Sequence, residues 1–251
     1  MRLACLAIAT AALSIAAAPE LPSHHAAMNQ LYDAKDWGGL VTELAQPKDP
    51  VQQRQNLSWL ETKTETGASF LIALSYANYL WQYGEMEKVD DPKTDLRVEA
   101  AMISLYVYEL ILIDGAACQD YSAPQSRFDQ YVSQRRDTLR FIKTLTPEWQ
   151  EKIVDQAIAL EKQTAPRREP LDEILCRGGM DEMMAGLEAG KTEELPPQPG
   201  YVGKQVGVSA PPGWKPKFLP AGTYLPVQAQ KRAQMRDFLL KVIANMTAPQ
   251  K

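Results

Sequence analysis

The stretch from about Lys93 to Gly115 constrains the fold more than any other part of the sequence. The pair Asp91-Pro92 marks a helix start before it, and its second half is apolar on nearly every side of a helix. A helix of this kind needs neighbours all round it, so we predict that it is the buried centre of a helical protein. Glu109 lies inside it and either pairs with an arginine such as Arg135 or lies on the one wet stripe of the helix. We favour a buried partner.

Further helices are predicted on both sides of this central one. Helical spacing of apolar residues, capping carboxylates and Pro or Gly stops define them. No segment keeps the two-residue alternation of strands for long, so we predict an all-α fold. The predicted segments are a short hairpin within 24–47, two helices ending at Gly67 and Gly84, and helices at about Gln125–Leu145, after Thr146-Pro147, at about Pro170–Ala189 and at about Val227–Met246.

One segment, "NLSWLETKTETGASFLIALSYANYLWQYG" from Asn56 to Gly84, resembles a Sel1-like repeat, a relative of the tetratricopeptide repeat. The positions that match the plan of that repeat are Trp59, Gly67, Ala73, Ala77 and Gly84. "NQLYDAKDWGGLVTEL" resembles a tetratricopeptide hairpin more loosely, and Lys93–Ala117 lacks the tryptophan and the turn glycine. The resemblance implies stacked antiparallel helical hairpins whose concave surface binds another protein or a peptide. It implies no catalytic residues.

The two ends of the chain differ from the helical middle. Residues 1–18, "MRLACLAIATAALSIAAA", have the charged start, apolar run and small-residue end of a secretory signal peptide. Residues 19–190 form the predicted helical domain. Eight of the 18 prolines fall between Leu195 and Pro226, which predicts an extended Pro/Gly/aromatic arm over residues 191–226, laid on the helical body. Residues 227–251 are the predicted C-terminal helix and tail.

Two cysteines, Cys118 and Cys176, remain after the predicted cleavage. An isolated pair in an oxidising compartment is usually a disulfide, so we predict that they are bonded and that the protein is periplasmic or secreted by a bacterium. The net charge is −4, and no stretch is dense in Lys and Arg. We therefore expect neither nucleic acid nor an anionic membrane surface as a partner, and no membrane span after signal cleavage.

The stretch "ILIDGAACQDYSAPQSRFDQ" holds the one cluster with chemical variety. Its structural interpretation is a corner in which Asp114 or Asp120 pairs with Arg127 while Cys118 is bonded to Cys176. Its functional interpretation is a thiolate or acid–base site with the arginine holding an anion. We favour the corner and predict no catalytic residue, no metal site and no cofactor, because the chain's two histidines, His24 and His25, stand together near the mature N-terminus.

Aromatic residues at helical spacing pack in the core more often than they line a binding groove. Tyrosine and tryptophan are nevertheless also common at interfaces. The predicted binding residues are Trp59, Tyr76, Tyr79, Trp81, Tyr106, Arg127 and Trp214. The function we expect is a non-catalytic module that binds a protein or peptide in the bacterial envelope. The alternatives are an envelope enzyme that uses Asp114 and Glu109 with Arg127, or a periplasmic inhibitor or immunity protein.

Overall fold

The computed structural model describes residues 23–168, 171–196 and 203–245, so the predicted signal peptide lies outside the described residues. Contacts divide the chain into two compact units, Met1–Asn56 and Leu57–Lys251. The helices are α1 (Ser23–Asp33), α2 (Trp37–Ala45), α3 (Pro50–Glu65), α4 (Phe70–Met86), α5 (Leu96–Asp114), α6 (Ser122–Gln134), α7 (Arg136–Ile142), α8 (Pro147–Thr164), α9 (Met180–Glu188) and α10 (Ala221–Asn245), and the strands are β1 (Thr192–Leu195) and β2 (Gln205–Val208). The all-α prediction is confirmed, since the described strands form one two-stranded sheet.

The first unit contains α1, α2 and the start of α3. The chain turns between α1 and α2 at Lys35, whose φ is 54°. Asp36, one of the capping carboxylates that the sequence offers, then caps α2, because its Oδ1 accepts a hydrogen bond from Gly39 N at 2.9 Å. Asn56 on α3 donates from Nδ2 to the backbone oxygen of Glu43 at 3.3 Å, and this hydrogen bond fixes α2 against the start of α3.

The second unit is built around α5, as the sequence predicted. The helix begins one turn later than expected, because Asp95 rather than Asp91 provides the cap: its Oδ1 accepts from Arg97 N at 2.8 Å. From Ile103 to Ile111 every residue of α5 is buried. Helices α4, α6, α7, α8 and α10 all pack on it, which leaves this helix no solvent face along its central turns.

Among the described helices, α4 and α5 share the most extensive contact, and a glycine makes their close approach possible. A Cβ on Gly84 would lie 2.8 Å from the backbone N of Arg97, so any larger residue would push the two helices apart. Gly67, in the turn before α4, has φ +89°, and a Cβ there would lie 3.0 Å from the backbone N of Arg168. Packing alone therefore explains why glycine stands at positions 67 and 84, two of the positions that match the Sel1-like repeat. The resemblance to that repeat stays a prediction.

Two predicted helices in the middle of the chain differ from the observed ones. The segment predicted over Gln125–Leu145 is two helices, α6 and α7, separated at Arg135. The segment around Cys176 is a turn, and α9 begins only at Met180 because Gly178, with φ +80°, redirects the chain.

The last helix begins at Ala221 rather than near Val227. Pro226 lies in its second turn, where the missing N–H removes one backbone hydrogen bond. Tyr224, 8% exposed, holds this part of the helix against the protein. Burial of Tyr224 therefore offsets the hydrogen bond lost at Pro226. The density of prolines wrongly indicated that the extended arm continues to Pro226.

The predicted arm is partly a sheet and partly an extended segment on the helical body. β1 pairs antiparallel with β2, Thr192 opposite Val208. Further along, Leu219 N donates to Ala117 O at 2.8 Å and Gln119 N donates to Lys217 O at 3.0 Å. The arm is thus joined by backbone hydrogen bonds to the chain around Cys118. No described helix is long and apolar enough to cross a membrane.

Candidate functional site

The disulfide corner is the first feature that the sequence singled out. Cys118 follows the 3-10 turn Gly115–Ala117, and Cys176 ends the turn that precedes α9. The two residues form a disulfide with their Cα atoms 5.3 Å apart, which confirms the predicted pairing. Each is 3% exposed. Because both sulfurs are bonded and buried, the corner offers no thiolate for nucleophilic chemistry.

Asp120 caps α9 across this corner. Its Oδ2 accepts a hydrogen bond from Asp181 N at 2.8 Å, and its Oδ1 accepts from Ser122 Oγ at 2.6 Å. Ser122 Oγ in turn accepts from Met180 N at 2.8 Å. Burial alone would raise the pKa of Asp120, but the hydrogen bonds from Ser122 and from the α9 backbone outweigh it and lower that pKa. The carboxylate is therefore a structural cap.

The predicted pairing of Arg127 with Asp114 or Asp120 is wrong. Arg127 donates from NH1 to Gln130 Oε1 at 3.3 Å, and its guanidinium lies beside Gly178, where a Cβ would come within 3.3 Å of NH2. It thus covers the backbone next to the disulfide. Local spacing suggested the pair across the turn, but a more distant arginine takes the aspartate.

That arginine is Arg168, just after α8. It holds Asp114 with two hydrogen bonds, Nε to Oδ2 at 2.9 Å and NH2 to Oδ1 at 3.2 Å, and its NH2 also donates to Glu161 Oε1 at 2.5 Å. Arg232 of α10 donates from NH2 to the same Glu161 oxygen at 3.0 Å. We call Asp114, Glu161, Arg168 and Arg232 the buried charge network. It joins α5, α8 and α10 through charge-assisted hydrogen bonds.

Glu109 lies beside this network without a partner for one oxygen. The residue is 1% exposed, and Oε1 has no hydrogen-bond partner among the described residues. Burial, and next the charge of Glu161, raise the pKa of Glu109 to about 9, while Arg168 opposes the rise. The side chain is therefore a neutral acid at pH 7. The predicted pairing with Arg135 is wrong, since Arg135 Nε is itself buried without a partner in the described part of the chain.

The buried acids can hold protons and fix helices, but they are not arranged to meet a substrate. Glu109 and Glu161 are 1% and 3% exposed, and Asp114 is occupied by Arg168. The enzyme alternative required Asp114, Glu109 and Arg127 to face one open cleft, and the structure does not bring these three side chains together. Among the described residues, no three His, Cys, Asp or Glu side chains are grouped where they could hold a metal ion.

Most of the predicted binding aromatics are packing residues. Trp59, Tyr76 and Tyr106 are 2%, 4% and 0% exposed. Tyr76 donates from its hydroxyl to Glu99 Oε1 at 2.6 Å. The rings of Tyr79 and Trp81 are half-buried, and Trp81 meets Phe141 edge-on with centroids 5.7 Å apart. The structure thus places the first three in the interior, where they cannot line a groove.

Trp214, on the arm, is a predicted binding residue that borders a cleft. The cleft has a volume of about 260 Å³ and lies between α9 and the arm, beside Cys176. Met184 lines it from α9, Trp214 and Lys217 line it from the arm, and the guanidinium of Arg177 lies 5.7 Å from the Trp214 ring centre. An aromatic ring beside a flexible methionine is a common pairing at protein interfaces.

Helix α9 presents its apolar side to solvent. Four residues at i, i+3, i+4 and i+7 share one face, and we call them the α9 stripe: Met180, Met183, Met184 and Leu187, which are 52%, 37%, 47% and 45% exposed. The opposite face packs through Gly186, where a Cβ would lie 2.5 Å from Ser209 O. Glu182, also on the packed side, accepts from Arg177 NH2 at 2.8 Å.

Sequence reasoning missed the α9 stripe and the buried charge network. The methionine spacing in "MDEMMAGLE" was visible, but an apolar stripe on a helix normally indicates the core side. Gly186, a small residue on the other face of α9, was the one signal that this other face packs on the protein and that the methionines face outwards. Comparisons with protein-family models, with curated proteins and with solved structures found no match to this chain.

Proposed function

We propose that this chain is a non-catalytic protein-binding module and that the α9 stripe is its docking surface. The observation that carries the proposal is the orientation of α9. Helix α9 already packs on the protein through its small and polar side. Its three methionines and one leucine therefore do not contribute to packing within the fold and remain available to a partner. Contiguous exposed apolar surface of this kind marks interaction sites in soluble proteins.

The chemistry of the stripe favours a protein segment as the partner. Methionine side chains are flexible and polarisable, so they adapt to apolar side chains of different shape. The neighbouring cleft with Trp214 offers a place for one anchor residue, and anchors that fill a pocket contribute most of the energy of an interface. A partner helix with apolar residues at i, i+3 and i+4 would match the spacing of the stripe.

We also propose that the partner is bound in an oxidising compartment. The predicted signal peptide over residues 1–18 and the disulfide between Cys118 and Cys176 both favour an oxidising location. We therefore place the partner in the periplasm or outside the cell. A reducing location would leave the corner without its crosslink.

Recovery of the tagged, full-length protein after crosslinking in intact cells tests the proposal. The parent is compared with Met183→Gln/Leu187→Gln, which makes the stripe polar, and with Gln156→Ala/Ala159→Gln, a double change on the exposed face of α8. We expect one and the same protein to be recovered with the parent and with the α8 control, and to be lost with the stripe variant. Equal recovery with all three proteins contradicts the stripe as the docking surface.

A further inference from the structure

A second surface, remote in sequence from α9, has the features of a small-molecule site. A groove of about 490 Å³ lies between α6, α7 and the end of α10, a volume within the range of ligand sites. Its apolar wall is formed by Phe128, Val132 and Leu139. The ring of Phe128 meets Tyr108 edge-on with centroids 4.6 Å apart, so this wall is held in place by the core.

Two arginines give the groove its charge. Arg136 and Arg140 are one helical turn apart on α7, so they project from the same side of the helix. Neither side chain has an ion-pair or hydrogen-bond partner among the described residues. The one acid in the lining, Asp129, accepts from Gln125 Nε2 at 3.1 Å. The lining is therefore net positive on a chain whose net charge is −4.

Two arginines without a partner among the described residues, beside a fixed apolar wall, match one ligand chemistry in particular. A guanidinium binds a carboxylate with two parallel hydrogen bonds, and a second guanidinium one turn away can neutralise it further. An apolar body attached to that carboxylate would cover Phe128 and Val132. A purely polar anion would leave the apolar wall wet, and a neutral apolar molecule would leave the arginines without a counter-ion.

We propose that this groove binds a small amphiphilic carboxylate, with the carboxylate on Arg136 and Arg140 and the apolar body on Phe128 and Val132. The site is independent of the α9 stripe, so either proposal can fail without the other. The groove is open at the surface, since Arg136 and Ser133 on its rim are exposed. A ligand can therefore enter without any movement of the helices.

Calorimetric titration of the full-length protein with dodecanoate, below its micelle concentration, tests the site. We expect saturable binding of about one molecule. Arg136→Gln/Arg140→Gln should weaken it by about ten- to a hundredfold, the effect of losing charge-assisted hydrogen bonds. Arg136→Lys/Arg140→Lys should retain a good part of the affinity, because the charges remain. Ser133→Trp should also weaken binding, because the indole would fill the groove.

Two controls separate a specific site from general adsorption. Lys152→Gln/Lys162→Gln removes two exposed positive charges from α8, which does not line the groove, and should leave the affinity unchanged. Dodecyltrimethylammonium, which has the same chain with a cationic head, should not bind. The proposal is overturned if the parent does not bind dodecanoate, if the arginine-to-glutamine variant binds it equally well, or if the cation binds as tightly as the carboxylate.

Discussion

Glu109 shows how one buried acid makes stability depend on pH. Its pKa is raised from 4.5 to about 9 in the folded protein, so the folded state keeps a proton that the unfolded state releases. The contribution of protonated Glu109 to the free energy of unfolding is then fully present below pH 4.5. It is lost progressively as the pH rises towards about 9. At pH 7 the loss amounts to about 3 kcal/mol.

We predict that Glu109→Gln raises the free energy of unfolding at pH 7 and flattens its decline between pH 5 and pH 8. Glutamine has nearly the shape of the protonated acid and cannot ionise. Urea unfolding of the parent and the variant at several pH values measures the difference. Parallel pH profiles for the two proteins would show that Glu109 is not the buried proton acceptor.

Arg168 is the residue on which the buried charge network depends. We predict that Arg168→Met lowers the free energy of unfolding by about 3 to 5 kcal/mol, because it leaves Asp114 and Glu161 with too little compensating charge. Arg127→Met is the matched control, with an expected loss of about 1 kcal/mol or less. Denaturant midpoints measure both. Similar losses in the two variants would mean that the network contributes little more than packing.

The sequence could not have identified this network. It showed that Asp114 ends the central helix and needs a partner, but it offered 27 lysines and arginines. Arg127 was the nearest plausible one in sequence. The observed partner, Arg168, is brought close by the packing of α8 and by the close approach of Gly67 to the backbone at Arg168. Tertiary packing over a long sequence separation leaves no local pattern to recognise.

At the scale of elements, most local capping chemistry was predictable, with Asp95 in place of Asp91 on α5 as the exception, and the orientation of helices was not. Asp36 caps α2, and Thr146 caps α8 by accepting from Trp149 N at 3.4 Å; both starts follow from short-range hydrogen bonds that the sequence encodes. The orientation of α9 instead depends on Gly186 fitting against β2 and Ser209. A larger residue at position 186 would clash with Ser209 O and Val208.

We therefore predict opposite effects for two glycine substitutions. Gly186→Ala should destabilise the protein by about 1 to 3 kcal/mol, because its Cβ would meet Ser209 O and Val208. Gly222→Ala, in α10, has open space around the new methyl group and should stabilise by about 0.5 to 1 kcal/mol. Thermal unfolding of both variants checks the pair. A neutral Gly186→Ala would mean that α9 is not fixed through this face.

At the scale of the whole molecule, the disulfide connects the end of α5 to the turn before α9 across 58 residues. We predict that Cys118→Ser/Cys176→Ser lowers the free energy of unfolding by about 4 kcal/mol, the loop-closure entropy of a crosslink of that span. Reduction of the parent should give the same loss. A stability unchanged by reduction would show that the helical body fixes the corner without the bond.

Site-specific photocrosslinking in intact cells tests the central claim, that the α9 stripe is a docking surface. A benzophenone amino acid replaces Leu187 on the stripe in one protein and Gln156 on α8 in another. We expect a single discrete adduct from position 187, absent at position 156 and abolished by adding Met183→Gln. No adduct at 187, or the same adducts at both positions, would contradict the claim.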